Sequence, residues 1–197
     1  DFDGLIIDTE SPRYHAWQEV YRSRGLSFSR ERYSKTIGSN NAAFDPAGEL
    51  RNIIPDANEV SRLVQLQRLR EMELLQEQEV MPGVKELLEQ AKSRLLKLAI
   101  ASSSDRAWVV DNLSRLGMIG FFDAIWTEDE VEHVKPSPEL YLKATESIHL
   151  RTNEVIAFED SPNGIRAAQD AGIFAICVPN PITKILDVSA ADLILAS

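Results

Sequence analysis

From about residue 12 to residue 82 the apolar positions of the chain recur every three or four residues, the spacing of helices that bury one face. "PRYHAWQEVYRSRG" predicts a helix with Pro12 at its start and Gly25 as its stop, and "SRERYSKTIG" a second one ending at Gly38. In "DANEVSRLVQLQRLREMELLQEQE" an Asp56/Glu59 pair resembling a capping box precedes Val60, Leu63, Val64, Leu66, Leu69, Met72 and Leu75 at near-helical intervals. After a helix begun by Pro82 in "MPGVKELLEQAK" the texture changes. Short apolar runs ("KLAIAS", "FDAIWT", "EVIAFED", "IFAICVP", "DLILA") now alternate with helical segments such as "DRAWVVDNLSRLG", "SPELYLKATESIH" and "SPNGIRAAQDAG". Continuous apolar runs of about five residues between helices are the pattern of parallel strands buried on both faces. The predicted fold is α/β, a doubly wound parallel sheet built from residues 1–11 and 83–197, with an all-helical insert at residues 12–82.

In such a sheet ligands bind just beyond the carboxyl ends of the strands. Applied here, that rule selects Asp1 and Asp3 in "DFDG", Ser102 to Ser104 after "LAIA", and Glu159 with Asp160 after "VIAF". Lys135, in "HVKPSPELY", precedes a proline-started helix from which its ammonium reaches the same crevice.

Composition narrows the chemistry. With 21 basic against 31 acidic residues the 197-residue chain carries a formal charge of −10, which disfavours phosphate backbones and general nucleic-acid binding. No apolar stretch approaches the roughly 20 residues of a membrane span, and no signal peptide is visible at the first residues. The one cysteine, Cys177, lies in an apolar run and fits a reducing cytoplasm. His15, His133 and His149 show no metal-ligand spacing. Neither a P-loop, nor a G-x-G-x-x-G run, nor a G-x-S-x-G motif is present.

Carboxylates gathered from two strand ends repel one another unless a cation joins them. Oxygen-only ligands without His or Cys fit Mg²⁺ rather than Zn²⁺. Serine hydroxyls and helix N-terminal amides after "AIASSS" suit phosphoryl oxygens. Phosphoryl transfer needs an in-line nucleophile, neutralised equatorial oxygens and an acid for the leaving oxygen. Asp1 is placed as the nucleophile and Asp3, two residues on, as the acid and then base.

The ordered set "DFDG", "LAIAS", "VKPSPELY" and "VIAFEDSPNGIRAAQDAG" resembles the four motifs of the haloacid dehalogenase superfamily of phosphotransferases, over almost the whole chain. "DGLIIDTE" and "EDSPNGIRAAQDAG" are similar to the subgroup holding β-phosphoglucomutase and many sugar-phosphate phosphatases. The resemblance implies that Asp1 becomes phosphorylated, and that Asp3 is acid/base and gives its backbone carbonyl to Mg²⁺. It implies that Ser102 and Lys135 hold phosphoryl oxygens, that Asp160 ligates Mg²⁺, and that Glu159 does so directly or through water. Gly4, Ser103 and Ser104 then lie on the substrate side. The helical insert becomes a cap, with Arg13 and Asn40 or Asn41 placed to recognise substrate. A carboxylate at Asp3 argues against a true dehalogenase.

Phosphatase and mutase share every core residue and differ in whether water or a sugar hydroxyl takes the phosphoryl group. Aligned on "DFDG", Arg13 stands where the mutase has a His, and "GSNN" lacks the Arg of the mutase's recognition loop. The expected function is a Mg²⁺-dependent phosphatase of a small phosphorylated metabolite such as a sugar phosphate, cytoplasmic and monomeric, with no nucleic-acid or membrane partner. The alternatives are a β-phosphoglucomutase-type mutase and a non-catalytic binding module. The loop "DFDG" is expected to follow an apolar strand in the natural chain.

Overall fold

The structure is a computed structural model and describes residues 1–37 and 44–196. It forms two compact units, Asp1–Asp8 with Glu79–Ser197, and Thr9–Gln78.

The described residues of the Thr9–Gln78 unit are helical: α1 (Glu10–Arg22), α2 (Arg30–Tyr33), α3 (Pro46–Ile53) and α4 (Ala57–Gln76). Helix α1 starts two residues before Pro12, so the proline sits in the first turn, where a missing N–H costs nothing. Its buried Tyr14, Trp17 and Tyr21 recur at helical spacing. Tyr14 meets buried Phe28 and Tyr33, and the Tyr21 and Phe28 ring centroids are 4.5 Å apart. The segment predicted as one helix to Gly38 is shorter: α2 has four residues and passes into a 3₁₀ turn at Ser34–Thr36.

Helix α4 is capped by Asp56, whose carboxylate accepts from Asn58 N at 2.9 Å and Glu59 N at 3.4 Å. Its apolar positions divide between two faces. Val60, Leu63 and Leu75 are buried, whereas Leu66, Leu69 and Met72 are exposed. The polar Gln67 takes a buried position and donates to Glu71 Oε2 at 2.7 Å, which satisfies an amide that would otherwise be costly to bury.

The larger unit contains α5 (Val84–Ser93), β1 (Ala99–Ala101), α6 (Arg106–Arg115), β2 (Ala124–Trp126), α7 (Glu139–Ser147), β3 (Ile156–Glu159), α8 (Pro162–Asp170), β4 (Phe174–Cys177) and β5 (Leu193–Ile194). Helix α5 begins after Gly83, whose φ of +82° makes the turn, rather than at Pro82. Every strand pair is parallel, in two ladders of order β1-β2 and β3-β4-β5. The packing of helices on strands rests on small residues. Ala144 of α7, Ala157 of β3, Ala167 and Ala168 of α8 and Ala175 of β4 share one buried cluster, which lets helix and strand backbones approach closely.

The segment Asp1–Asp3 lies between the ladders. The Asp1 nitrogen donates to the Phe158 carbonyl of β3 (3.0 Å), and Phe2 is fully buried in one apolar cluster with Ile100 of β1 and Val109 and Leu113 of α6. Phe2 is thus the anchor that fixes the aspartates on either side of it. Among the described residues no helix is long and apolar enough to cross a membrane.

Candidate active site

The strand-end residues converge. Lys135 Nζ donates to Asp1 Oδ1 at 2.7 Å and to Glu159 Oε1 at 2.5 Å, with all three side chains at most one-tenth exposed. Tyr141, on α7, donates its hydroxyl to the same Glu159 oxygen at 2.5 Å, and its ring centroid lies 5.1 Å from the ammonium. The Glu159 carboxylate is tucked beneath the first turn of α8, where a Cβ on Gly164 would overlap it. That turn is held by Ser161, whose Oγ accepts from Gly164 N at 3.2 Å, and begins with Pro162.

Burial by itself raises the Glu159 carboxyl, but the Lys135 ammonium, the terminal ammonium of Asp1 and the hydrogen bonds from Lys135 and Tyr141 together outweigh it, so the group sits below its ordinary value. Burial, and then the Glu159 charge, push the Tyr141 hydroxyl well up, which keeps it a donor. Burial together with Asp160 and Glu159 pushes the Cys177 thiol up to about 11, so it stays protonated and is no nucleophile at neutral pH.

Asp160, nearly fully buried, accepts from Asn180 Nδ2 at 2.7 Å. The same amide donates to the Gly4 carbonyl at 3.2 Å, while Asn180 Oδ1 accepts from Ile182 N and Thr183 N, both at 2.9 Å. Asn180 therefore ties the "DFDG" turn to the end of β3. Gly4 has φ of +71°, and a Cβ there would overlap the Asp160 carboxylate and lie 2.6 Å from Asn180 Nδ2. Gly4→Ala is expected to lower the free energy of unfolding by about 1–3 kcal/mol, from left-handed strain and the displaced amide. Urea denaturation measures this, and an unchanged midpoint would contradict it.

Asp3 is held from the segment after β1. Trp108 Nε1 donates to Oδ1 at 2.9 Å, Ser104 Oγ to Oδ2 at 2.7 Å, and Ser102 Oγ lies 3.4 Å from Oδ2. Ser104 N donates to Ser102 Oγ at 3.1 Å, and the Ser103 hydroxyl is buried with no hydrogen-bond partner among the described residues. An orphaned buried hydroxyl beside a helix start is a ready donor for an oxyanion.

Asp1, Glu159 and Asp160 each offer an oxygen within 4.8 Å of the others. An all-carboxylate set fits a hard divalent cation such as Mg²⁺. Glu159 meets that distance while its oxygens also accept from Lys135, Tyr141 and, at 3.4 Å, Ser161.

Asp1, Asp3, Gly4, Ser102, Ser103, Ser104, Lys135, Glu159 and Asp160 all belong to this one unit, with Ser102, Glu159 and Asp160 at the ends of β1 and β3. Arg13 belongs to the helical unit, where its Nε donates to Glu71 Oε1 of α4 at 2.7 Å. Asn40 and Asn41 lie outside the described residues. Three participants escaped the sequence reading: Trp108, Tyr141 and Asn180. Asn180 follows β4, so the strand-end rule reaches it when carried to that strand; Trp108 and Tyr141 carry no comparable signal.

The chain is similar to known proteins over almost its whole length. The family of haloacid dehalogenase-like hydrolases matches residues 1–178. The protein YhcW of Bacillus subtilis (strain 168) is 40% identical over 186 residues, covering 94% of this chain and 84% of YhcW. The phosphorylated carbohydrates phosphatase of Thermotoga maritima is 33% identical over 181 residues, covering 88% of this chain and 80% of that protein. Among solved structures, CbbY from Rhodobacter sphaeroides in complex with xylulose-1,5-bisphosphate superposes with a TM-score of 0.74 at 26% identity, covering 99% of this chain and 91% of that one. The chain belongs to the haloacid dehalogenase-like hydrolases.

Proposed function

We propose that this phosphoric monoester hydrolase is a Mg²⁺-dependent phosphatase of a small phosphorylated metabolite, a sugar phosphate by preference, working through an aspartyl phosphate on Asp1. The observation that carries the reading is the pairing of the Asp1 carboxylate with Lys135 at 2.7 Å while Asp3, two residues on, is oriented by Trp108 and Ser104. The Asp1 carboxylate attacks phosphorus, and the bond to the ester oxygen breaks with its electron pair on that oxygen. Asp3 gives that oxygen a proton. Water then attacks the phosphorus, its proton passes to Asp3, and the bond to Asp1 breaks to release inorganic phosphate.

Lys135 and the Ser102–Ser104 segment offset the charge of the phosphoryl oxygens, the orphaned Ser103 hydroxyl among them. Asp1, Asp160 and the Asp3 carbonyl, with Glu159 directly or through water, would hold Mg²⁺, which supplies positive charge opposite the transferring group. The preference for a sugar phosphate draws support from the phosphorylated carbohydrates phosphatase of Thermotoga maritima. A net charge of −10 suits a small anion drawn to a local cation better than a nucleic acid.

The test is hydrolysis of p-nitrophenyl phosphate with and without Mg²⁺, followed by phosphate release from a panel of sugar phosphates. Turnover with Mg²⁺ that EDTA abolishes is expected. Absence of phosphate release from every substrate in Mg²⁺ would overturn the reading, and turnover unchanged by EDTA would overturn its metal.

A further inference from the structure

Trp108 does more in this site than fill space. It stands in the first turn of α6, where its backbone N–H donates to the capping Asp105 carboxylate at 2.8 Å and its carbonyl accepts from Asn112 at 2.9 Å. Its ring packs against the cluster that holds Phe2 and Ile100. The backbone and the ring are therefore both fixed, and the indole N–H is delivered to Asp3 Oδ1 at 2.9 Å. Among the described residues the other oxygen, Oδ2, meets only hydroxyls, Ser104 at 2.7 Å and Ser102 at 3.4 Å.

The two kinds of donor are not equivalent. An indole N–H donates and cannot accept, whereas a serine hydroxyl can turn and do either. Oδ1 is thus kept as an acceptor, and Oδ2 is the oxygen able to carry a proton toward a substrate or take one from water. Two anchors on opposite oxygens also fix the plane of the carboxyl, which a single contact would leave free to rotate.

We propose that Trp108 is a positioning residue for Asp3, locking its carboxyl plane so that Oδ2 performs the proton transfer, and that this lock sustains hydrolysis of esters with poor leaving groups. The inference rests on the phosphatase reading above. Its consequence is selective. An alkoxide-like leaving oxygen needs a well-placed proton as the phosphorus–oxygen bond breaks, whereas p-nitrophenolate departs without one. Misplacing a general acid forfeits part of the roughly 10²–10⁴-fold such a group provides.

The test compares kcat/KM of the parent and of Trp108→Phe on p-nitrophenyl phosphate, phenyl phosphate and benzyl phosphate, similar in size and graded in leaving-group ability. Because kcat/KM reports only steps through cleavage of the ester, a later hydrolysis step shared by all three cannot mask the effect. Trp108→Phe is expected to lower benzyl phosphate turnover by roughly tenfold or more while changing p-nitrophenyl phosphate by less than about threefold. In an Asp3→Asn background the same substitution should add nothing further.

Equal losses on the three esters, or a full additional loss in the Asp3→Asn background, would show that Trp108 only packs and would overturn the inference. Should Trp108→Phe melt early, 3-benzothienylalanine at position 108, which keeps the bicyclic ring and deletes the N–H, decides by the same ratio. Failure of the underlying reading looks different: Mg²⁺-dependent turnover would then survive Asp1→Asn.

Discussion

Replacing Asp1 by Asn is expected to remove Mg²⁺-dependent phosphate release almost completely, by roughly a thousandfold or more. The carboxamide is nearly the same shape as the carboxylate, and its oxygen can still accept from Lys135, which sits 2.7 Å away and keeps Glu159 as a second partner. The fold should therefore persist, and the loss should appear in the rate rather than in the melting temperature. The cause is chemical, since an amide oxygen is a poor nucleophile toward phosphorus. Initial rates on p-nitrophenyl phosphate, with melting followed in parallel, check both halves. Intact-mass measurement after acid quenching adds a second readout, with phosphate-sized mass on the parent and none on Asp1→Asn. A variant that keeps more than about a tenth of the parent rate would place the nucleophile elsewhere.

The alternation of apolar runs with helices was enough to expect β1 to β5 and their parallel sense, because a strand buried on both faces has no polar side to interrupt it. Helical periodicity is a weaker guide to which face is buried. On α4 the spacing admits two stripes, and the exposed Leu66, Leu69 and Met72 read no differently from the buried Val60 and Leu63. Gln67 is buried because Glu71, one turn on, takes its amide, a pairing that hydropathy does not register.

The site divides along similar lines. Asp1, Asp3, Ser102, Lys135, Glu159 and Asp160 were recognisable because strand ends and short motifs carry them, so local order in the chain implies a place in space. Trp108, Tyr141 and Asn180 act through the direction in which a helix or loop points a single donor. The Tyr141 hydroxyl meets Glu159 from 18 residues away and Asn180 meets Gly4 from 176. A tyrosine and a tryptophan in helical runs look like ordinary packing residues until those directions are known. The partners of Glu159 also change its meaning. Read as a strand-end acid it is expected to ligate a metal, whereas in the folded chain it is the buried counter-charge that holds Lys135 against Asp1.

That second role predicts a large stability effect. Lys135→Met should lower the free energy of unfolding at pH 7, measured in metal-free buffer with a chelator, by about 3–5 kcal/mol, because it leaves the fully buried Glu159 charge without its cation. The pH dependence fixes the assignment. In the parent the Glu159 carboxyl lies below its ordinary value of 4.5, so its contribution is present above that pH and is lost as pH falls through the lower, folded-state value. In Lys135→Met the fully buried Glu159 carboxylate has lost its side-chain cation, and burial then favours its neutral form and is expected to raise it. The variant's penalty is then full at neutral pH and is relieved as pH falls and Glu159 takes up a proton. The gap between parent and variant should narrow from pH 7 toward pH 4 because the variant recovers, and narrow further below about pH 4.5, where the parent begins to lose its own contribution. Adding Glu159→Gln to Lys135→Met should return part of the lost stability at pH 7, because Gln presents no buried charge and can still accept from Tyr141. A gap that stays constant with pH, or a double variant less stable than Lys135→Met alone, would show that the buried charge of Glu159 is not what Lys135 stabilises.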